Sequence, residues 1–258
     1  MPTQEIRFHS NTLAAVLHKP EDHQQPSPTI IFVHGFVGSK VGEHRMFVKA
    51  ANYFSNKGFV CFRFDFSGCG ESEGDYKDVT ISNQINELKS AIEYVSQLQE
   101  VDRNNIIIIG HSLGGALTAL TAYQFPFIKH VILWAPVANP YQDITSITGM
   151  EAEQIAHKHG YYDYRGFLLS HSFFEDLKKH HPLKSIQRFP GTVYLVHGAN
   201  DQDIPSHSSK AYIQSLSESG YDQEREYSLI NGAGHTFSNT SWEQELFKRS
   251  YQWIQKVM

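Results

Sequence analysis

The sequence predicts an α/β fold in which a mainly parallel central sheet is flanked by helices. Three observations predict it. Short, β-rich apolar runs recur along the chain, each bounded by Gly, Pro or polar residues. The runs are apolar throughout, as strands covered on both faces are. Amphipathic helical patterns alternate with them, which is the order that builds a parallel sheet.

The elements follow in sequence. Residues up to His18 alternate loosely and read as a pair of edge strands. Residues 19–28 are polar and hold Pro20, Pro26 and Pro28, which makes a loop. Strands are expected at 29–33, 59–64, 105–109, 130–134 and 192–196, with a short one at 227–230. Ile81, Ile85, Leu88, Ile92 and Val95 recur at the spacing of one helical face. Leu113, Ala116, Leu117 and Leu120 do the same after the 105–109 run, and Trp242, Leu246 and Trp253 share a face near the C-terminus. These apolar residues are the candidate core.

One interval breaks the alternation. Nearly sixty residues separate Trp134 from Thr192, far beyond an ordinary crossover. The interval is rich in aromatic residues: Tyr141, Tyr161, Tyr162, Tyr164, Phe167, Phe173 and Phe174. It reads as a cap or lid over 136–190, inserted into a core made of 1–135 and 191–258. The plainer alternative is a helical insertion that only covers the sheet edge.

Bulk properties narrow the function classes. The chain of 258 residues is long enough for a sizeable core, and 40% hydrophobic with 19% charged residues fits an ordinary globular protein. A net charge of −5 without a long Lys/Arg run gives no electrostatic reason to hold nucleic acid. No apolar run approaches the ~20 residues needed to span a bilayer. The first residues lack a basic n-region and an apolar h-region, so a cytoplasmic location is the default expectation. The two cysteines, Cys61 in a strand run and Cys69 in a Gly-rich loop, are expected as free thiols with no metal role.

The sharpest chemical signal is Gly110-His111-Ser112-Leu113-Gly114, followed by Gly115. It lies directly after a strand run and directly before a helical pattern, the context of a nucleophile elbow. Such a turn exposes the serine hydroxyl, and the helix behind it offers free N–H groups and a positive dipole end. A serine hydroxyl is a weak nucleophile that needs a base, and the base needs an orienting acid. In this fold class both lie downstream, acid first. His235, in Gly234-His235-Thr236 after the 227–230 strand, is the candidate base. For the acid, the 192–196 strand ends in His197-Gly198-Ala199-Asn200-Asp201-Gln202-Asp203, where two aspartates compete. The loop resembles the G-x-x-D pattern of α/β-hydrolases, which selects Asp201. Asp203 is then a turn or cap residue leading into Pro205 and the next helix, and Asp143 is a distant third. A tetrahedral intermediate needs two backbone donors. Leu113 N–H is one candidate, and Phe36 N–H, in His34-Gly35-Phe36-Val37-Gly38-Ser39-Lys40, is the other. His157, His159, His171, His180 and His181 cluster in the insertion without the spacing of a known metal motif, so no metal is expected.

Taken together, these motifs and the loop Asp65-Phe66-Ser67-Gly68-Cys69-Gly70-Glu71-Ser72-Glu73-Gly74 resemble the cinnamoyl/feruloyl esterase-like branch of the α/β-hydrolase superfamily. The resemblance spans most of the chain. It implies an α/β-hydrolase fold with a lid between the sixth and seventh core strands, where the long insertion falls. It implies a structural role for Asp65 and its glycines.

The leading expectation is a serine carboxylic ester hydrolase acting on small acyl or aryl esters through an acyl-enzyme, with no cofactor. Its partner is a small-molecule ester, neither nucleic acid nor membrane, and a homodimer is left open. Tyr162 and Tyr164 are candidates to bond a phenolic substrate oxygen. The alternatives are a serine peptidase or amidase, a thioesterase of the same fold, and a non-catalytic ligand-binding protein. Oligopeptidase-type enzymes usually append a large propeller, for which the chain has no room. A non-catalytic relative predicts a degraded triad, and here all three positions are filled.

Overall fold

A computed structural model describes residues 2–21 and 26–258. In chain order the elements are β1 (Thr3–Phe8), β2 (Leu13–His18), β3 (Ser27–Val33), α1 (Met46–Ser55), β4 (Val60–Phe64), α2 (Ile81–Ser96), β5 (Val101–His111), α3 (Leu113–Thr121) and β6 (Ile128–Trp134). After these come α4 (Pro140–Thr148), α5 (Ala152–His159), β7 (Tyr161–Tyr164), β8 (Phe167–Ser170), α6 (His171–Leu177) and α7 (Pro182–Ile186). The chain closes with β9 (Thr192–Gly198), α8 (His207–Ser217), β10 (Arg225–Ile230) and α9 (Thr240–Val257).

Eight strands form one sheet in the order β1-β2-β4-β3-β5-β6-β9-β10. β1 pairs antiparallel with β2, and β2 antiparallel with β4; every other pairing is parallel. The expected fold class, with its edge pair at the N-terminus, is the observed one. One boundary differs. The 19–28 loop was expected to run through Pro28, but β3 starts at Ser27. A register shift between Ser27 and Thr29 accommodates the proline, which has no N–H to give the ladder. Residues 22–25 of that loop lie outside the described residues.

Side-chain alternation along each strand feeds two cores. Ile31, Val33, Ile106, Ile108, Val131 and Leu133 pack with Leu88, Ile92, Leu113 and Leu117 of α2 and α3. Ile30, Phe32, Ile107, Ile109, Ile132 and Trp134 pack with Phe47 and Phe54 of α1 and Leu246 and Trp253 of α9. Both faces are therefore covered, which is why the strands read as unbroken apolar runs. Thr80 caps α2, its hydroxyl accepting from Asn83 N–H. Of the stripe predicted for that helix, Ile81, Leu88, Ile92 and Val95 are buried and Ile85 is half-buried. Cys61 and Cys69 are separate buried thiols, and burial pushes both up to about 12.

The long interval lies between β6 and β9, the sixth and seventh strands of the sheet. It holds four helices and the β7–β8 hairpin. Its apolar residues Ile144, Leu169, Phe173, Phe174 and Leu177 join the same core cluster as α2 and α3. Asp176 fastens α6 to α2, its carboxylate accepting from Ser82 N–H at 2.7 Å and from the Ser82 hydroxyl at 3.0 Å. Among the described residues, no helix is long and apolar enough to cross a membrane.

Trp134 anchors the α1/α9 face. It is fully buried, stacks on Phe47 at 6.3 Å and donates its indole N–H to Ser250 Oγ at 3.1 Å. Trp134→Ala leaves a large cavity and an unpaired hydroxyl. The expected loss is about 3–5 kcal/mol in urea denaturation, and a loss below ~1 kcal/mol would contradict this account of the core.

Candidate active site

β5 ends at His111 and α3 begins at Leu113, so the chain reverses at one residue, Ser112. Its backbone has φ 58° and ψ −124°, a strained conformation for a residue with a Cβ. The strain is held from outside. Ser112 N–H donates to Trp134 O at 2.9 Å, and Val137 N–H donates to Ser112 O at 3.1 Å. A Cβ on Gly114 would sit 2.1 Å from Val33 O, so only glycine lets α3 pass this close to β3.

Ser112 Oγ lies 2.8 Å from His235 Nε2, and His235 Nδ1 lies 2.8 Å from Asp201 Oδ2. The geometry fixes the tautomer: Nδ1–H donates to the carboxylate, and Nε2 is free to accept from the hydroxyl. All three sequence candidates meet here. Asp201 Oδ1 accepts from Asp203 N–H at 3.0 Å and Ile204 N–H at 2.9 Å. Asp203 therefore supplies its backbone to the acid loop, while its own side chain is exposed at the cavity wall. Ser206 holds the N-cap position of α8 without a side-chain cap bond, so of the cap and turn roles considered for Asp203 the cap does not apply. Asp143 turns the start of α4, accepting from Ala138 and Asn139 N–H.

The loop after β3 runs against the elbow. A Cβ on Gly35 would lie 2.9 Å from Ser112 Cβ and 3.2 Å from Leu113 N. Gly35 O accepts from His34 Nδ1–H at 3.0 Å and from Gly38 N–H at 3.2 Å. With that carbonyl held on one side, the trans peptide points Phe36 N–H to the other. Phe36 N–H has no acceptor among the described residues, and Leu113, first in its helix, has no intrahelical one. Both expected donors are thus free beside Ser112.

Several residues that sequence reasoning passed over support this arrangement. His197, fully buried, places Nε2 3.0 Å from Asp201 Oδ2 and 2.7 Å from Ile204 O, with Nδ1 2.7 Å from Ser209 Oγ. Two acceptors at Nε2 require a proton there, so Asp201 Oδ2 receives N–H bonds from two histidines. The signal for it was present in His197-Gly198-x-x-Asp201, where a strand-end imidazole precedes the acid. His111 donates from Nε2 to His235 O at 2.9 Å and lies ring to ring with His235 at 4.9 Å. Burial, then the neighbouring His235, holds His111 down at about 3, so it stays neutral. Burial likewise lowers His34. Asp65, the loop acid expected to be structural, accepts from Lys40 N–H and Lys40 Nζ, each at 2.5 Å, and from Glu71 N–H at 2.9 Å. It ties down the far end of the loop that carries Phe36.

A cavity of about 700 Å³ opens at Ser112. Phe36, Tyr164, Phe167 and Ile147 line it, with His235 and Asp203 on its other loops. Phe36 packs on Tyr164 at 5.4 Å and stacks on Phe173 at 5.8 Å. Of the two tyrosine candidates, Tyr164 lines the cavity. Tyr162, two residues back on β7, is half-buried against the core and is not among the lining residues. Among the described residues lining this cavity there is none of the insertion histidines. Glu153, His171 and Glu175 do bring three ligand-type atoms within 4.8 Å of one another, but Lys178 Nζ lies 2.6 Å from both carboxylates and supplies the positive charge they need.

The carboxyl of Asp201 is held well below the usual range. Burial works against its charge, and the N–H bonds from His197 and His235 outweigh burial. A depressed folded-state value stabilises the fold above the unfolded value, near ~3.9, and that contribution is lost as pH falls below it. Asp201→Asn has no such titration. The stability gap between wild type and Asp201→Asn in urea denaturation should therefore narrow as pH drops from about 5 toward 3. A gap independent of pH would mean that Asp201 is not charged in this network.

Residues 45–258 match the prolyl oligopeptidase family. The quorum-quenching protein AidA of Acinetobacter baumannii is 30% identical over 141 residues, covering 53% of this chain and 45% of AidA. The mitochondrial palmitoyl-protein thioesterase ABHD10 of Homo sapiens is 24% identical over 193 residues, covering 71% of this chain and 60% of that protein. The matches thus span less than two thirds of these relatives' own lengths. Among solved structures, Est1E from Butyrivibrio proteoclasticus with ferulic acid bound superposes with a TM-score of 0.80 over 98% of both chains, at 20% identity, a likeness of fold. The chain belongs to the prolyl oligopeptidase family and has the α/β-hydrolase fold.

Proposed function

We propose that this protein hydrolyses small carboxylic esters through an acyl-enzyme formed on Ser112. The observation that carries the reading is the relay Ser112 Oγ to His235 Nε2 and His235 Nδ1 to Asp201 Oδ2, both at 2.8 Å, beside two free backbone N–H groups. Ser112 Oγ attacks the ester carbonyl carbon as its proton passes to His235 Nε2. The carbonyl oxygen becomes an oxyanion bonded by Phe36 and Leu113 N–H. Asp201 stabilises the imidazolium and keeps its ring oriented. His235 then protonates the departing alcohol. Water, activated by His235, cleaves the acyl-enzyme and restores Ser112. No step calls on a cofactor.

The β7–β8 hairpin with α6 is read as the lid of this site. What supports it is the contact of Tyr164 and Phe173 with Phe36 and the place of Tyr164 and Phe167 in the cavity wall. An aromatic wall favours flat or short apolar acyl groups, including cinnamoyl-like ones. A thioester is the second reading, favoured by the thioesterase relative that covers 71% of this chain. The same relay serves a sulfur leaving group.

Ser112→Ala and Asp201→Asn are each expected to lower kcat on p-nitrophenyl esters by ~10³-fold or more, and Asp203→Asn far less. Turnover retained in Ser112→Ala removes the mechanism; a greater loss in Asp203→Asn moves the acid within the loop. Replacing residues 161–170 by a short Gly/Ser linker should raise KM or shift acyl-chain preference, while Ser112 still reacts with a small fluorophosphonate. An unchanged acyl-chain profile would leave the hairpin as a cover for the core.

A further inference from the structure

Among the described residues lining the cavity at Ser112, Arg165 is the one Lys or Arg. Arg165 and Gly166 are the two-residue turn between the paired Tyr164 and Phe167. Their φ angles are 54° and 90°, the pattern of a type I′ turn. Asn-Gly, Asp-Gly and Gly-Gly are the pairs that suit this turn, because its first position is left-handed. Arginine there costs more than asparagine would. Local turn chemistry therefore does not favour arginine at this position. Departures from the local rule of this kind concentrate at functional sites.

The guanidinium lies over the Tyr164 ring at 5.2 Å, and Tyr164 packs on Phe36, which follows the Gly35 that lies against Ser112. Its charge is therefore placed along one wall of the cavity, beyond an aromatic stretch that starts beside Ser112. Glu43 and Asp203, the carboxylates in the same lining, stand on the loops after β3 and β9. No ion pair joins Arg165 to either among the described residues. Its planar fork of donors is free to take two oxygens at once.

We propose that Arg165 recognises a carboxylate on the substrate, so that the preferred ester carries an anionic group remote from its scissile carbonyl. The proposal rests on the esterase reading of the Ser112 site. The carbon skeleton lies along Phe36, Tyr164 and Phe167, and the carboxylate meets the guanidinium at the hairpin tip. Arg165 is exposed, so water and salt screen the pairing and keep its contribution modest.

The test compares charged and neutral esters of like shape. With the anion on the acyl half, the pair is the p-nitrophenyl monoester of suberic acid and p-nitrophenyl octanoate. With the anion on the alcohol half, it is the acetate of 4-hydroxyphenylacetic acid and that of 4-hydroxyphenylacetamide. Arg165→Asn removes the charge and suits the turn, and Arg165→Lys keeps the charge without the fork. The charged-to-neutral ratio of kcat/KM should fall about fivefold in Arg165→Asn for one of the pairs, and less in Arg165→Lys. The pair that responds identifies the half of the ester that faces the hairpin. In wild type the same ratio should fall as salt rises, a measurement that needs no variant. Ratios unchanged in Arg165→Asn for both pairs, or insensitive to salt in wild type, overturn the proposal and leave the esterase reading standing. If wild type turns over none of the four esters while a fluorophosphonate still labels Ser112, the esterase reading falls and this proposal falls with it.

Discussion

Ser112 holds a backbone conformation that costs on the order of 1–3 kcal/mol, and the rest of the site depends on that cost being met elsewhere. A serine in an ordinary helix or strand would bury its hydroxyl or turn it along the element. Here the φ of 58° lifts it clear at the end of β5, where the sheet stops and α3 starts. The restraint comes from neighbours far apart in sequence. Trp134 O takes the Ser112 N–H, and Gly114 lies against Val33 O. Those contacts exist because β3, β5 and β6 are adjacent parallel strands whose C-terminal ends coincide. The apolar packing on both faces fixes that register, since a one-residue slip would turn every inward side chain outward.

The charge pattern around Ser112 is as constrained as the backbone. Besides His44, which bonds Thr236 O and Glu243, four imidazoles lie close to the site, yet the proposed relay calls for a proton to come and go on one. Burial keeps His34 and His111 neutral, which turns them into fixed hydrogen-bond donors for Gly35 O and His235 O. His197 spends its Nε2 proton on Asp201 and Ile204. His235 alone faces a proton source, the Ser112 hydroxyl. Asp201 remains a carboxylate because its oxygens are fully occupied by donors, and a carboxylate so held stabilises an imidazolium next to it. In the proposed mechanism the network thus separates groups that hold geometry from the one that would move a proton.

Much of this was legible in the sequence, for physical reasons that differ from residue to residue. Ser112 was readable because an elbow is local: the strand, the glycines and the helix that make it are contiguous. Asp201 and His235 were readable because parallel strands place their C-terminal loops on one edge of the sheet, so their position in the chain implies their position in space. Asp203 shared that logic, and only the observed hydrogen bonds show that its backbone, not its carboxylate, serves the acid loop. His197 was passed over because its role needs the loop to fold back across four residues, which spacing alone does not show. Tyr162 and Tyr164 are indistinguishable by alternation, both pointing to one face of β7. Both, like Phe167, pack against the core, and their difference arises from the turn, which brings Tyr164 and Phe167 to the cavity wall and leaves Tyr162 out of it. The aromatic richness of 136–190 was legible as well, but not its division between core and cavity, since Phe173 and Phe174 are buried in the main cluster.

Phe36 joins these two layers of the molecule. Its N–H is the one proposed to meet the developing negative charge, and its ring is the first member of the aromatic wall. A substrate that presses on Tyr164 or Phe173 presses on the residue that would supply the oxyanion donor. Selectivity and rate are then not separable properties of separate parts. The Gly35–Phe36 peptide is rigid and its carbonyl is already committed to His34 and Gly38, so in the proposed mechanism the N–H stays in place and a poorly fitting acyl group carries its own carbonyl oxygen out of reach of it. Oxyanion stabilisation falls steeply once a donor leaves its short range of distances. A wrong substrate is therefore penalised twice, in ground-state packing and again in the transition state. Selectivity of this kind appears in kcat as well as in KM.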